Sequence, residues 1–276
     1  MTIMSNYIII FDDQCGICNT GANVFTKLGV LKNEGVLPLS ELTDSELTCH
    51  VDPQKSCDEM AIVNKQTNEI HYGVDAYGML IAEKYPKLSK IVHNSSFKSL
   101  LKPVYAFVAS NRRIIAPINT QNASCDPTLK KGYRAMLMML MVIFSVVVTF
   151  QKGEILKHTE LFGFLNGFKL LQVTVVGWVV TAFLYRKNDK WDYWGHLSII
   201  AGSAIFIQSL ALIGYHYLPH VAWVIGSMVL SDLLMMVMHY RRIKKMGHSQ
   251  IYTLRWWLIL HLTAMLSVAQ YYVLAG

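Results

Sequence analysis

Asn6-Tyr7-Ile8-Ile9-Ile10-Phe11-Asp12-Asp13-Gln14-Cys15-Gly16-Ile17-Cys18-Asn19 is the stretch whose reading decides the fold of the first half of the chain. Its first six residues form a short apolar run rich in β-branched and aromatic side chains, stopped by two aspartates, which predicts a buried strand. The run is too short for the hydrophobic region of a secretory signal, and no basic segment precedes it. From Cys18 onward, Ala22, Val24, Phe25 and Leu28 recur at helical spacing. The Cys15-x-x-Cys18 motif therefore falls where a strand hands over to a helix.

Working outward, Val36–Leu39 reads as a second strand, residues 41–47 as a helix, and Glu59–Val63 with Ile70–Tyr72 as a hairpin. Helices are expected over Asp75–Tyr85 and Phe97–Ser110. The order βαβαββα predicts an α/β, thioredoxin-like domain over residues 1–115. No internal repeat and no low-complexity segment is visible.

The junction gives the motif a chemical reason. Attack on a disulfide requires a thiolate, and the unsatisfied N–H groups and dipole of a helix N-terminus favour one. Cys15 is then the nucleophile, and Cys18, one turn later, the thiol that resolves the mixed disulfide. Two alternatives stay open: half of a zinc site completed by Cys49, His50 or Cys57, or a pair of inert cysteines. Cys49 and Cys57 are too widely spaced for a second close pair of zinc ligands, so no metal site is expected. Five cysteines, an odd number, argue against a purely structural disulfide framework. Cys125 reads as a free loop cysteine, in preference to a third redox thiol meeting the CxxC at the membrane surface.

The second half differs in composition. The chain of 276 residues is 53% hydrophobic but only 16% charged, and the charge is concentrated in the first 130 or so positions. A membrane protein explains that split, whereas disorder, a rod or a small disulfide-stapled scaffold does not. Five apolar runs are long enough for spans: Tyr133–Phe150, Gly167–Tyr185, Trp194–Tyr217, His220–Tyr240 and Leu254–Leu274. The expected plan is a linker over 116–131 and an all-α transmembrane bundle over 132–276. Lys130, Lys131, Arg134, Arg186, Lys187, Lys190, Arg241, Arg242, Lys244, Lys245 and Arg255 fall on one side of such a bundle, and Lys152, Lys157 and Lys169 on the other. By the positive-inside rule the N-terminal domain faces the cytoplasm of a bacterial-type inner membrane. The net charge of +7 is thereby assigned to anionic lipid and not to nucleic acid. Trp191, Tyr193, Trp194, Trp256, Trp257, Tyr271 and Tyr272 form the expected aromatic belts. A weakly amphipathic turn is expected over 155–166.

Ionisable residues inside spans are functional candidates by default. His196 falls near the inner end of the third span, and Asp232 roughly 12 Å and His261 about 9 Å from the inner ends of theirs. His239 lies seven residues after Asp232 on the same helical face. Such a group fits a quinone head, a haem or a metal, a hydrogen-bonded network that locks the bundle, or a proton path.

The opening stretch, with Asp58-Glu59-Met60-Ala61-Ile62-Val63, Tyr72-Gly73-Val74-Asp75-Ala76 and Tyr105-Ala106-Phe107-Val108-Ala109-Ser110-Asn111-Arg112-Arg113, resembles the DCC family of thiol-disulfide oxidoreductases, block by block and in order, over about residues 6–115. The resemblance implies a redox dithiol at Cys15 and Cys18 with Asp12 beside it, acting on a protein or small-molecule thiol or disulfide. Asp13 departs from the glycine usual in the family and brings a second carboxylate near the thiols, which opposes thiolate formation. Where thioredoxins place a cis-proline, this chain has Ser56-Cys57-Asp58. Asp12 reads either as a proton acceptor or as a turn residue. Arg112 and Arg113 read as partners of a helix C-terminus or of lipid headgroups, in preference to a role in binding a substrate anion. The expected activity is membrane-anchored thiol-disulfide exchange. The alternatives are electron transfer to a membrane cofactor, and an anchored module that senses redox state or metal.

Overall fold

The computed structural model describes residues 6–44, 49–118, 125–159, 162–164, 166–185, 187 and 189–275. The chain divides into two compact units, Met1–Tyr133 and Arg134–Gly276.

In the first unit, strands β1 (Tyr7–Phe11), β2 (Val36–Pro38), β3 (Ala61–Asn64) and β4 (Ile70–Tyr72) form a mixed sheet in the order β2-β1-β3-β4. β1 runs parallel to β2, with Ile10 opposite Leu37, and antiparallel to β3, with Ile10 opposite Ala61. β3 and β4 are antiparallel. Helices α1 (Gly16–Lys27), α2 (Pro53–Asp58), α3 (Gly73–Lys84), α4 (Ser89–Val92) and α5 (Ser95–Ile115) complete the unit. This small mixed sheet with its helices is consistent with a thioredoxin-like arrangement.

Alternation along β1 and β3 builds a core on each face of the sheet. Ile9, Phe11 and Ile62 pack with Ala22 and Phe25 of α1 and Ala76 and Leu80 of α3. Ile10, Ala61 and Val63 pack on the other face with Leu39, Leu42, Val51 and Cys57. Ile9, Ile10 and Ile62 are fully buried, each contributing about 1.5–3 kcal/mol by removal from water. The sequence expectation needs one change here. A 3-10 segment, Leu39–Asp44, occupies the start of the helix expected over 41–47, whose last residues lie outside the described ones. The true α2 begins at Pro53, capped by Asp52, whose carboxylate accepts from the Lys55 N–H at 3.0 Å. Proline at the first turn and aspartate at the cap are favourable helix-start chemistry.

The second unit is helical: α6 (Lys131–Leu156), α7 (Gly167–Phe183), α8 (Lys190–Tyr217), α9 (Ala222–Lys245) and α10 (Ile251–Ala275). α6 starts at the unit boundary. Among the described residues, α6, α8 and α9 are long and apolar enough to cross a membrane, while Gly167–Phe183 and Ile251–Leu266 are shorter apolar helical stretches. α6, expected to be the shortest span, is 26 residues long. α8 packs along α9, and α7 along α10. Lys152, assigned by sequence to an outer loop, lies instead within α6, buried, and its ammonium donates to Gln208 of α8. Arg242, likewise counted with a loop, is buried in α9. Arg186, Gly276 and parts of the turn expected over 155–166 lie outside the described residues, as do the side chains of Tyr271 and Tyr272.

Candidate functional site

Cys15 is the N-cap of α1, with extended backbone (φ −81°, ψ 113°), and its N–H donates to the Asp12 carbonyl at 3.1 Å. The first turn of α1 holds no acidic residue, so no carboxylate competes for the free N–H groups of the helix N-terminus. The Cys15 thiol is pulled down to about 6. The chief cause is a hydrogen bond from the Cys18 thiol, opposed by burial and assisted by the Cys18 N–H and the charge of Arg112. Cys18 is pushed up by the same thiol–thiol bond and by burial. The opposite directions of the two shifts favour the thiolate at Cys15 and the thiol at Cys18. Cys15 is fully buried, whereas Cys18 is partly exposed and forms part of a cavity wall.

Asp12 ends β1 and is buried. Arg112 and Arg113, from the last turn of α5, each approach its Oδ2 at 3.3 Å. Arg112 also donates to the carbonyls of Cys57 and Asp58. Burial works against its charge, but Cys18, Cys15 and Asp12 more than offset that, and its pKa is raised. Arg112 and Arg113 therefore turn inward onto a carboxylate beside the thiols. The sequence expectation of helix-end or lipid contacts missed this, because a hundred residues separate the partners. Asp13 is directed elsewhere, its Oδ1 accepting from the Ser40 N–H at 3.3 Å.

Cys57 and Cys125 are joined by a disulfide, with Cα atoms 6.0 Å apart. Cys125 is therefore not the free loop thiol expected from sequence. Arg113 donates to its carbonyl, Gln54 Nε2 donates to the Asp126 carbonyl at 3.0 Å, and the Thr128 N–H donates to Asp58 Oδ1 at 2.7 Å. Three links beside the disulfide thus tie the segment around Cys125 to α2 and α5. Cys49 is exposed and free.

A cavity of about 570 Å³ adjoins the dithiol, its lining including Cys18, Asp12, Ser56, Tyr77, Tyr105 and Arg112. The Tyr105 hydroxyl accepts from the Met60 N–H at 3.1 Å, and burial raises the Tyr105 phenol to about 12. Burial raises Tyr77 as well. Sequence reasoning did not find these phenols or Ser56, since none stands in a motif.

The polar residues of the second unit fall into separate groups. His261 and Asp232 are paired at 3.3 Å, each about one-third exposed. His239 is buried between the Tyr193 hydroxyl (3.2 Å) and the Thr253 hydroxyl (3.0 Å), stacked on Trp256 with ring centroids 4.4 Å apart. His196 Nδ1 meets Arg242 at 2.8 Å. Among the described residues, no three histidine, cysteine or acidic side chains are grouped to hold a metal ion.

No curated protein and no solved structure matches the chain. Residues 9–116, which carry the CxxC, Asp12 and both arginines, match the family model of the DCC1-like thiol-disulfide oxidoreductases, and this supports a thiol-disulfide redox role for the chain.

Proposed function

We propose that the chain is a membrane-anchored thiol-disulfide oxidoreductase with Cys15 as attacking thiolate, Cys18 as resolving thiol and Asp12 as the carboxylate that holds Arg112 beside them. The observation that carries this reading is the placement of Cys15 as the N-cap of α1 with Cys18 in its first turn, beside the buried Arg112–Asp12 ion pair. In the first step Cys15 attacks one sulfur of a substrate disulfide, forming a mixed disulfide and expelling a thiolate. Cys18 then passes its proton to the expelled thiolate and attacks the Cys15 sulfur, closing Cys15–Cys18 and releasing the second substrate sulfur as a thiolate. The substrate is reduced by two electrons and the enzyme dithiol is oxidised by two. Because Cys15 is fully buried, contact with a bulky substrate requires the Gln14–Gly16 turn to open.

The proposed plan is a thioredoxin-like domain over 1–115, a linker over 116–131 and a five-span bundle over 132–276 in a bacterial-type inner membrane. Three helices of spanning length and the aromatic belts favour anchorage. The distribution of lysine and arginine favours a cytoplasmic N-terminal domain. There the thiol pool keeps the pair reduced, which suits a reductase. The Cys57–Cys125 bond favours a second orientation, in which the domain faces an oxidising compartment. Reporter fusions after Gly276 and within the loop at Pro219 separate the two. His196, Asp232, His239 and His261 are proposed as bundle-locking groups, since each has its own local partner, in preference to a joint haem or quinone site in the spans.

The test is a Cys18→Ser variant of the full chain in cells, which should accumulate a mixed disulfide at Cys15. Absence of any adduct, together with undiminished exchange by Cys15→Ser, would remove the reading.

A further inference from the structure

The cavity beside Cys18 has the dimensions and the polarity of a small-molecule site. At about 570 Å³ it falls within the ~300–1,000 Å³ of ordinary ligand pockets. Most of its wall is apolar, contributed by α3, the turn before α4, α4 and α5 through Ile81, Leu88, Ile91, Phe97 and Val104. Its polar part is distinctive. Asp12, Ser56 and Arg112 line it, each at most 3% exposed, and each has one buried polar atom with no hydrogen-bond partner: Asp12 Oδ1, Ser56 Oγ and Arg112 Nε. A buried polar atom left unpaired costs about 1–3 kcal/mol. All three residues border the cavity, so a ligand there that accepts from the arginine and the serine and donates to the aspartate relieves them once these side chains turn toward it.

We infer that this cavity binds a lipophilic quinone, whose ring lies against Cys18 with its oxygens toward Arg112, Ser56 and Asp12, and whose apolar tail lies along α4 and α5. This rests on the dithiol being redox-active, as proposed above, and names its two-electron partner. Four observations favour a quinone over a peptide or an inert lipid. The carbonyl oxygens of the oxidised ring are acceptors suited to Arg112 Nε and Ser56 Oγ, and the hydroxyls of the reduced ring are donors suited to Asp12 Oδ1. A quinone takes up two electrons, the number that a dithiol releases. Cys15 is fully buried while Cys18 reaches the cavity, an arrangement that admits a flat small molecule more readily than a protein disulfide. Finally, the outer wall is exposed as well as apolar, with Leu88 42%, Ile91 52% and Val104 55% exposed. Lys87, Lys90 and Lys102 lie close to these residues in sequence, a composition that suits the lipid surface where such quinones partition.

The step balances. The Cys15 thiolate and the Cys18 thiol give up two electrons to the ring as the Cys15–Cys18 bond forms and the Cys18 S–H bond breaks. The Cys18 proton and one proton from water go to the two ring oxygens, leaving a disulfide and a quinol.

The experiment uses the full chain in lipid nanodiscs, with the dithiol reduced, without oxygen. The probe is decyl-ubiquinone, whose ring is fully substituted and so is not alkylated by thiols. Stoichiometric quinol formation with closure of Cys15–Cys18 is expected, together with saturable protection of Cys18 from alkylation in the Cys15→Ser variant. Val104→Trp, which adds bulk to the wall, should raise the concentration for half-protection at least tenfold. Its melting temperature reports folding, and Val108→Trp serves if Val104→Trp does not fold. Reduction of a small aromatic disulfide is measured in parallel. If that exchange proceeds but neither quinol nor protection is seen, the quinone inference falls and the proposed activity stands. If both reactions are absent, the proposed activity falls with it. Quinol formation with no shift in half-protection in either tryptophan variant would overturn the assignment of the quinone to this cavity.

Discussion

Arg112 Nη2 lies 3.3 Å from Asp12 Oδ2, with both side chains no more than 4% exposed, joining the last turn of α5 to the end of β1. Arg113 reaches the same oxygen. One carboxylate thus holds two guanidiniums, of which Arg113 also meets Asp126 Oδ1 at 3.4 Å, while the charge of Arg112 acts on the Cys15–Cys18 pair. Asp12 by itself raises the Cys15 pKa and Arg112 lowers it. The arginine is what turns a buried carboxylate beside a thiolate from an obstacle into a support.

Replacing Arg112 by methionine should therefore act twice. Asp12 keeps only Arg113, and breaking a buried ion pair from one side typically costs about 3–5 kcal/mol. The midpoint for Cys15 alkylation should also move upward, since a favourable charge is lost. Denaturant unfolding reads the first effect and alkylation rate against pH the second. A destabilised variant with an unmoved midpoint would show that Arg112 is structural only.

The pH dependence has a definite sign. Cys15 is lowered from 9.0 to about 6 in the folded state, so the folded protein favours the thiolate. Its contribution to stability is full above pH 9 and is lost as the pH falls through about 6. The reduced Cys18→Ser variant, in which the opposing titration is gone but a hydroxyl and the backbone N–H remain to donate to the Cys15 sulfur, isolates Cys15. Its unfolding free energy should rise from pH 6 to pH 9 by more than that of Cys15→Ala/Cys18→Ser. Equal slopes would contradict the assignment of the charge to Cys15.

Removal of the second disulfide should cost stability without removing exchange. A loop of this size, with Cys57 and Cys125 separated by 68 positions in sequence, corresponds to about 4 kcal/mol in the chain-entropy account. Cys57→Ala/Cys125→Ala should unfold at correspondingly lower denaturant. Under denaturing, non-reducing conditions the protein with a reduced CxxC should titrate as three free thiols, from Cys15, Cys18 and Cys49. Five would mean that the Cys57–Cys125 bond is not formed.

Gly73 carries a local constraint. Its φ is +56°, and a Cβ there would lie 2.7 Å from Glu59 Oε2 and 3.0 Å from Tyr105 Cε1. Gly73→Ala should destabilise by more than about 1 kcal/mol, the usual cost of a left-handed position, because the clash adds to the strain. A thermal melt unchanged from wild type would contradict this geometry.

Asp232 and His261 test the role of the second unit. Asp232→Asn and His261→Ala should each lower the melting temperature in detergent, by a loss of about 1–2 kcal/mol at most. Neither should alter the redox state of Cys15 and Cys18 in membranes. A shifted thiol redox state with unchanged stability would instead make the pair a working site.

What the sequence determined on its own was everything local in period or spacing. The apolar run before Asp12 and the helical repeat after Cys18 placed the CxxC at a strand-to-helix junction, where the helix N-terminus favours a thiolate. Apolar length announced the helices of the second half, because a long uncharged run is legible without partners. What only the tertiary structure decided was every relation between residues far apart in the chain. Asp12 meets Arg112 and Arg113 because the end of β1 and the last turn of α5 converge. Cys57 meets Cys125 because α2 and the segment after α5 lie together. His239 pairs with Tyr193 and Thr253 and not with Asp232, although the helical period puts Asp232 and His239 on one face. The burial of Cys15 beside an accessible Cys18 is of the same kind. Spacing records which groups share a helix or a strand, while burial and partnership depend on what the rest of the chain packs against them.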